Sequence, residues 1–221
     1  MDATKSRLLE SAGEEFADKG YEAATVRAIC ERAKANIAAV NYHYGDKQGL
    51  YVAAVLEAHR CGMEGWVPEE NSEEPAEALR LYIQHFLTHV LALRGEGWRQ
   101  SLMLRELSRP TIALEILVRD AIRPRFDALL SILQRINPAW SGPQLWMIAF
   151  SIIGQCLHYR MGAPVTARLI GEEALRGLDL MMLTDHITRF SLAALGLEPP
   201  LNPGAAGSRV FTSTSSMESD R

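Results

Sequence analysis

The chain has 221 residues, 48% hydrophobic and 23% charged, an ordinary balance for a soluble globular protein of one large domain or two small ones. A net charge of −4 gives no bulk attraction for nucleic acid, although DNA binding needs only a local positive face. Cys30, Cys61 and Cys156 are scattered without ligand spacing, Met1-Asp2-Ala3-Thr4 opens no signal peptide, and no apolar run reaches the ~18 residues of a membrane span; a reduced, cytoplasmic protein is expected.

The first helix is predicted over residues 5–19, capped by Asp2 or Thr4, with Leu8, Ala12 and Phe16 at helical spacing and Leu9 alongside. Gly20-Tyr21 reads as a left-handed stop with its apolar clasp. Thr25 caps a second helix carrying Val26, Ile29 and Ala33 inward. Lys34-Ala35 makes the turn, and Asn36 caps a third helix over residues 37–44. Successive residues rotate by about 100°, so Val40 and Tyr44 share the inward face while Ala38, Asn41 and Tyr42 point away from it. Ile37, Ala39 and His43 sit on the flanks. So short a helix is marginal alone, below the ~12–15 residues that sustain one in water. Neighbours must hold it, and a small polar and aromatic face is left free. That is the layout of a helix-turn-helix whose second helix enters a major groove. Arg27, Arg32, Lys34, Lys47 and His43 stand there against Glu31 and Asp46, whereas Glu10, Glu14, Glu15 and Asp18 gather on the first helix.

Asp46 caps a fourth helix running to about residue 60, with Leu50, Val52, Ala54 and Val55 apolar and Gly49 a local weakness. Residues 62–74, acidic and broken by Gly65, Pro68 and Ser72, mark a seam between domains. Pro75 opens a helix to about residue 93 with Leu79, Ile83, Phe86 and Val90 as core, ended by Gly95 and Gly97. Residues 98–107 form the next helix, and residues 110–136 are helical with a kink or split at Pro124. Residues 145–157 are apolar all round apart from Ser151, Gly154 and Gln155, so this helix is buried on two sides. One side packs on its own bundle and the other on a second copy of the chain, with Ile148, Ser151, Ile152, Gln155 and Phe190 at the interface; the competing reading is a core helix of the monomer. Helices over 172–183 and 185–195 complete a four-helix seam, and residues 202–221, rich in Gly, Ser and Thr, read as a disordered tail. No strand-like alternation occurs, so the fold class is all-α with nine to eleven helices.

Leu8, Leu9, Ala12, Phe16 and Ala17, then Lys19-Gly20-Tyr21, Thr25-Val26-Arg27, Ile29, Ala33, Tyr42-His43-Tyr44, Gly45-Asp46-Lys47 and Leu50-Tyr51 form a long ordered pattern that resembles the DNA-binding domain of the TetR family of bacterial regulators. Lys34 stands where that family usually has Gly, and Ile37, Ala38 and Asn41 replace its usual Lys, Gly and Tyr. The stretches 151–160 (SIIGQCLHYR) and 185–195 (DHITRFSLAAL) are similar, more loosely, to the C-terminal domain of the CecR-type subgroup. The resemblance implies a helix-turn-helix domain over residues 1–61 and an effector-binding and dimerisation domain over 62–198, with a tail over 199–221. It implies a homodimeric, ligand-responsive regulator, a repressor, whose partners are a palindromic double-stranded operator and an unidentified small molecule, with no cofactor and no membrane. Residues Asn36, Ile37, Ala38, Ala39, Asn41, Tyr42 and His43 then lie in the major groove, with Thr25, Arg27, Tyr42 and Lys47 on phosphates. Asn41 reads an adenine edge, and Ala38 and Ala39 allow close approach to thymine methyls.

Trp98, Met103, Leu107, Trp146, Phe150 and Tyr159 are candidates to line an effector cavity, with Arg105, Gln155 or His158 as polar anchors. His85 and His89, four apart, lack a third ligand and read as flanking helix positions rather than a metal site. Cys156-x-His158 has no oxyanion loop or orienting carboxamide and reads as core and rim, and Cys61 reads as an inert thiol. The alternative function is an all-α small-molecule-binding protein or enzyme using the C-terminal cavity. The absence of a catalytic constellation argues against it.

Overall fold

A computed structural model describes residues 3–60, 73–92 and 97–199, all in helices or the short links between them. The first four helices are α1 (Ala3–Ala23), α2 (Val26–Ala33), α3 (Ile37–Tyr44) and α4 (Lys47–Arg60). α1 is continued past its predicted end by one turn, across a break at Gly20 (φ 79°, ψ 172°). Leu8, Phe16, Ile29, Val40 and Leu50 are fully buried between these four helices, with Tyr51 edge-on to Phe16 at 4.9 Å. Lys34 occupies the left-handed region (φ 50°, ψ 48°) at the end of α2, its N–H donating to the Cys30 and Glu31 carbonyls. A side chain there costs about 1 kcal/mol relative to glycine. Gly49 has a use that its helix propensity hides: a Cβ there would stand 2.0 Å from the Tyr44 carbonyl oxygen, so the α3–α4 turn closes only over a bare Cα.

The packing boundary does not follow the chain boundary expected at residues 61–62. α6 (Gly97–Ser108) and α7 (Ile112–Leu117) join the first core through Trp98, Leu102, Met103, Ala113 and Leu117. Trp98 lies against α1 where Gly13 leaves room, since a Cβ on Gly13 would meet the indole at 2.3 Å, and its Nε1–H donates to Glu10 at 2.7 Å. Glu106 of α6 is fully buried. Its carboxylate accepts from the Tyr51 hydroxyl (2.6 Å), the Thr111 N–H (2.8 Å), the Thr111 hydroxyl (3.0 Å) and the Leu114 N–H (3.0 Å). One side chain therefore ties α4, α6 and the start of α7 together.

A second core is built by α5 (Pro75–Ala92), α8 (Arg123–Ile136), α9 (Gly142–Met161) and α12 (Leu180–Ala194), around Leu79, Ile83, Leu87, Leu129, Leu133, Ala149, Ile152 and Ile187. The kink expected at Pro124 is a π-helical turn, Val118–Ile122, immediately before α8. Proline lacks an N–H and crowds the carbonyl four residues earlier; the wider turn accommodates both. The predicted helix over 172–183 is instead α11 (Glu172–Gly177) and the start of α12, separated where Asp179 caps α12 by accepting the Met182 N–H at 2.8 Å. α10 (Ala163–Ile170) has no counterpart in the sequence reading. Twelve α-helices result among the described residues, against nine to eleven expected, and no strand occurs there. The seam expected over residues 62–74 and the tail over 202–221 lie largely or wholly outside the described residues.

Candidate nucleic-acid interface

Both helices of the turn begin on side-chain caps. The Thr25 hydroxyl accepts the Ala28 N–H at 3.2 Å, and Asn36 Oδ1 accepts the Ala39 N–H at 2.9 Å. Each replaces a partner that the first helical turn cannot supply. α3 is then held at three places: Val40 is wholly buried, the Tyr44 hydroxyl donates to the Lys5 carbonyl at 2.9 Å, and α4 closes behind Gly45. The opposite face projects into solvent, with Tyr42 85% exposed and Ile37 54%, and with Ala38 and Asn41 beside them. A folded monomer gains nothing by exposing a tyrosine this fully. Ala39, on the flank of α3, is half-buried and packs on the first core. His43, on the same flank, is half-buried as well and lines a groove of about 580 Å³ between α1 and α4.

The basic residues divide by what already holds them. Arg32 ion-pairs with Glu14 (2.7 Å) and Glu15 (3.5 Å) of α1, fastening α2 to α1. Arg27 is exposed and pairs with Glu31 one turn on, at 2.9 Å, an interaction weak enough in water to exchange for a phosphate. Lys47 sits 4.8 Å over the Tyr21 ring and donates to the Glu22 carbonyl at 3.1 Å, so it fastens α4 to the end of α1 while standing at the foot of α3. Two exposed cations absent from the predicted site, Lys5 and Lys34, flank α3. Lys34 was legible as part of the turn. Lys5 is brought there by a hydrogen bond spanning 39 residues, which nothing local announces.

Residues 8–54 match the family model for bacterial regulatory proteins of the tetR family, and residues 75–195, more than half of the chain, match that for the C-terminal domain of the HTH-type transcriptional dual regulator CecR. The chain belongs to the TetR family. It is 27% identical over 179 residues to the dual regulator CecR of Shigella flexneri, covering 72% of this chain and 76% of that one. The repressor AcnR of Corynebacterium glutamicum is 39% identical over 54 residues, 24% of this chain and 29% of its own length. The solved structure of HlyIIR, a hemolysin II transcriptional regulator, superposes with a TM-score of 0.55 at 20% identity over 84% of this chain and 97% of that one, a likeness of fold alone. TetR proteins are DNA-binding transcriptional regulators and not enzymes, and the all-α architecture with an N-terminal helix-turn-helix is theirs.

In this TetR chain the expected effector-lining residues do not converge. Trp98 and Met103 are buried in the first core, and the Arg105 guanidinium donates to the Ala17 and Asp18 carbonyls near the end of α1 (3.2 and 2.9 Å). Leu107, Trp146 and Phe150 are exposed, Phe150 stacking on Phe126 at 5.2 Å, and only Tyr159 packs against the second core. An aromatic at helical spacing fits a core, a surface or a cavity equally well, which is why the sequence misplaced these. Of the expected dimer residues, Ile152 belongs to the monomer's core at 3% exposure. α9 is not buried all round: Leu145, Ala149, Ile152 and Cys156 face inward, while Met147 (64%) and Phe150 (61%) face solvent. All five expected dimer residues nevertheless meet, with Met147 and Ala194, along a groove of about 420 Å³ between α9 and α12, Ile152 forming its floor. Cys156 is buried and its thiol pKa is pushed up to about 12 by burial, and His158 is exposed beside Thr166, so the pair forms no nucleophile. Cys61 lies outside the described residues. No cluster of three metal-ligating side chains occurs among the described residues, and no helix there is long and apolar enough to cross a membrane.

Proposed function

We propose that the protein is a homodimeric, effector-responsive repressor acting in the cytoplasm on a palindromic operator. The observation that carries this reading is the outer face of α3, where Tyr42 and Asn41 project from a helix held rigidly from behind. Residues 1–61 dock on DNA. Asn36, Ile37, Ala38, Asn41 and Tyr42 enter the major groove, and Thr25, Arg27 and Lys47 meet phosphates beside it, with Ala39 and His43 supporting from the flank. Asn41 reads an adenine edge through its carboxamide.

Residues 62–198 bind the effector and the second subunit. Met147 and Phe190 are large, apolar and exposed along the groove between α9 and α12, with Phe150 exposed one turn along α9, which suits an isologous contact between two copies. Pairing there sets two recognition helices about one DNA turn apart, ~34 Å. Repression is favoured by the named role of AcnR, whose likeness covers the DNA-binding stretch, while CecR is named a dual regulator.

The test uses the full chain and a palindromic duplex selected from random DNA. Its affinity should fall by on the order of 10³-fold between 50 and 200 mM salt, as counterions released from phosphates drive binding. Binding that ignores salt, or no selected sequence, overturns the proposal.

A further inference from the structure

The outer side of α3 is chemically one-sided in a way that bears on which bases it can read. Taken around the helix axis at about 100° per residue, its exposed residues fall in the order Ile37, Asn41, Ala38, Tyr42, a contiguous arc opposite buried Val40. Ala39, His43 and Tyr44 are half-buried on the remaining side. Two columns run along the arc, Ile37 with Asn41 and Ala38 with Tyr42, each pair four residues apart. Side chains so spaced stand about 5–6 Å apart, one to two base-pair steps of about 3.4 Å.

No charged side chain stands on this arc. A guanine edge is read best by the paired donors of arginine or lysine, and a cytosine amino group by a carboxylate. α3 presents neither; the cations around the turn stand on other elements, Arg27 and Lys34 on α2 and at its end, Lys47 at the start of α4. Asn36 Oδ1 is committed to the Ala39 N–H at 2.9 Å, so its carboxamide cannot make a two-point contact with a base. Asn41 differs: among the described residues no hydrogen bond holds its carboxamide, whose acceptor and donor match N6 and N7 of adenine. Ile37, one turn before it, is a branched apolar side chain in solvent. The one methyl that a base presents in the major groove is the 5-methyl of thymine.

We propose that the operator pairs beneath α3 are A·T pairs, with Ile37 and Ala38 recognising thymine through its 5-methyl group and Asn41 recognising adenine. This rests on the regulator reading above and adds the class of sequence that the site takes. Ile37 gains by covering the thymine methyl. A guanine or cytosine in the same place would bury base hydrogen-bonding groups against an aliphatic side chain, without partners. Sequence preference then comes from one two-point hydrogen bond and from apolar contact, while the surrounding cations hold phosphates whatever the sequence.

Selection from random DNA, with the full chain, is repeated for Asn41→Ala and Ile37→Ala, and the positions whose preference relaxes are the pairs beneath α3. In the wild-type operator those pairs should be A·T. At the thymine that Ile37→Ala ceases to prefer, deoxyuridine in both half-sites removes the 5-methyl groups and nothing else. The wild type should bind that duplex at least fourfold more weakly, about the effect of uncovering one methyl. Ile37→Ala should hold the thymine and uracil duplexes equally. A G·C pair required at either relaxed position overturns the proposal, as does a wild type indifferent to the methyl. So does an Ile37→Ala variant that relaxes no position or still prefers thymine. In each of these cases a sequence has been selected and the regulator reading stands, whereas failure to select any duplex sinks that reading and this one together.

Discussion

Asn41 and Lys47 stand near the same groove and should fail differently when altered. Asn41 is exposed on α3 with its carboxamide directed outward, so Asn41→Ala should cost about 1–3 kcal/mol at one base pair and relax preference there while other positions hold. Lys47 is tied to Glu22 and Tyr21, so Lys47→Ala should weaken binding to every sequence alike and also loosen α4 from α1. Site selection with each variant separates the two; loss of preference confined to Lys47→Ala would reverse the assignment. His59 offers a second test at this scale, its Nε2 accepting from Arg125 at 2.6 Å. Burial, then the Arg125, His89 and Arg160 charges, lower its pKa to about 3 in the fold against 6.5 ordinarily. Between those values the unfolded chain takes a proton that the native ring refuses, so stability rises with pH across that window. The contribution is complete above about 6.5 and is lost as the pH falls toward 3. Melting temperatures at pH 7 and pH 5 should therefore fall further apart in the wild type than in His59→Gln, which retains an acceptor for Arg125. Equal drops in the two proteins would contradict the burial of a neutral ring.

Among the elements, α4 carries the most connections. Its Tyr51 hydroxyl ends on the Glu106 carboxylate that also receives the Thr111 and Leu114 N–H groups at the start of α7, so truncating Glu106 leaves the buried Tyr51 hydroxyl and the Thr111 amide without that acceptor. Glu106→Ala should destabilise the fold by about 3–5 kcal/mol in denaturant unfolding, the scale of a broken buried charged network. A loss under 1 kcal/mol would show that the carboxylate is not the joint described. Elements of this kind explain what was readable beforehand. The caps Thr25 and Asn36 and the inward Val40 are local chemistry, and the structure places each where spacing put it, while Gly20 marks a break and not an end. α6 was readable as a helix but not as a partner of α1, because the Gly13 shelf under Trp98 exists only once the two helices cross. The π turn before Pro124 escaped for a related reason: proline announces a disturbance and its neighbours choose the form.

At the scale of the whole molecule, two cores share one chain out of sequence order. α6 and α7 stay with the DNA-binding helices and α5 belongs to the second core, and the Arg125–His59 contact at 2.6 Å joins α8 to the end of α4. In the proposed dimer, the exposed face of α9 and α12 would convert one outward helix into a matched pair. Sequence periodicity marked α9 as apolar all round but did not single out Met147 as its exposed residue, since an apolar helix does not declare which stripe its own bundle takes.

The central claim, that DNA is read by two recognition helices spaced through α9 and α12, is tested most directly by sedimentation of the Met147→Glu/Phe190→Glu variant with and without the selected duplex. The account predicts a folded monomer with native circular dichroism whose affinity for the palindrome is at least 100-fold weaker than that of the dimeric wild type. A variant that still sediments as a dimer, or a monomer that binds the palindrome as tightly as the wild type, would contradict it.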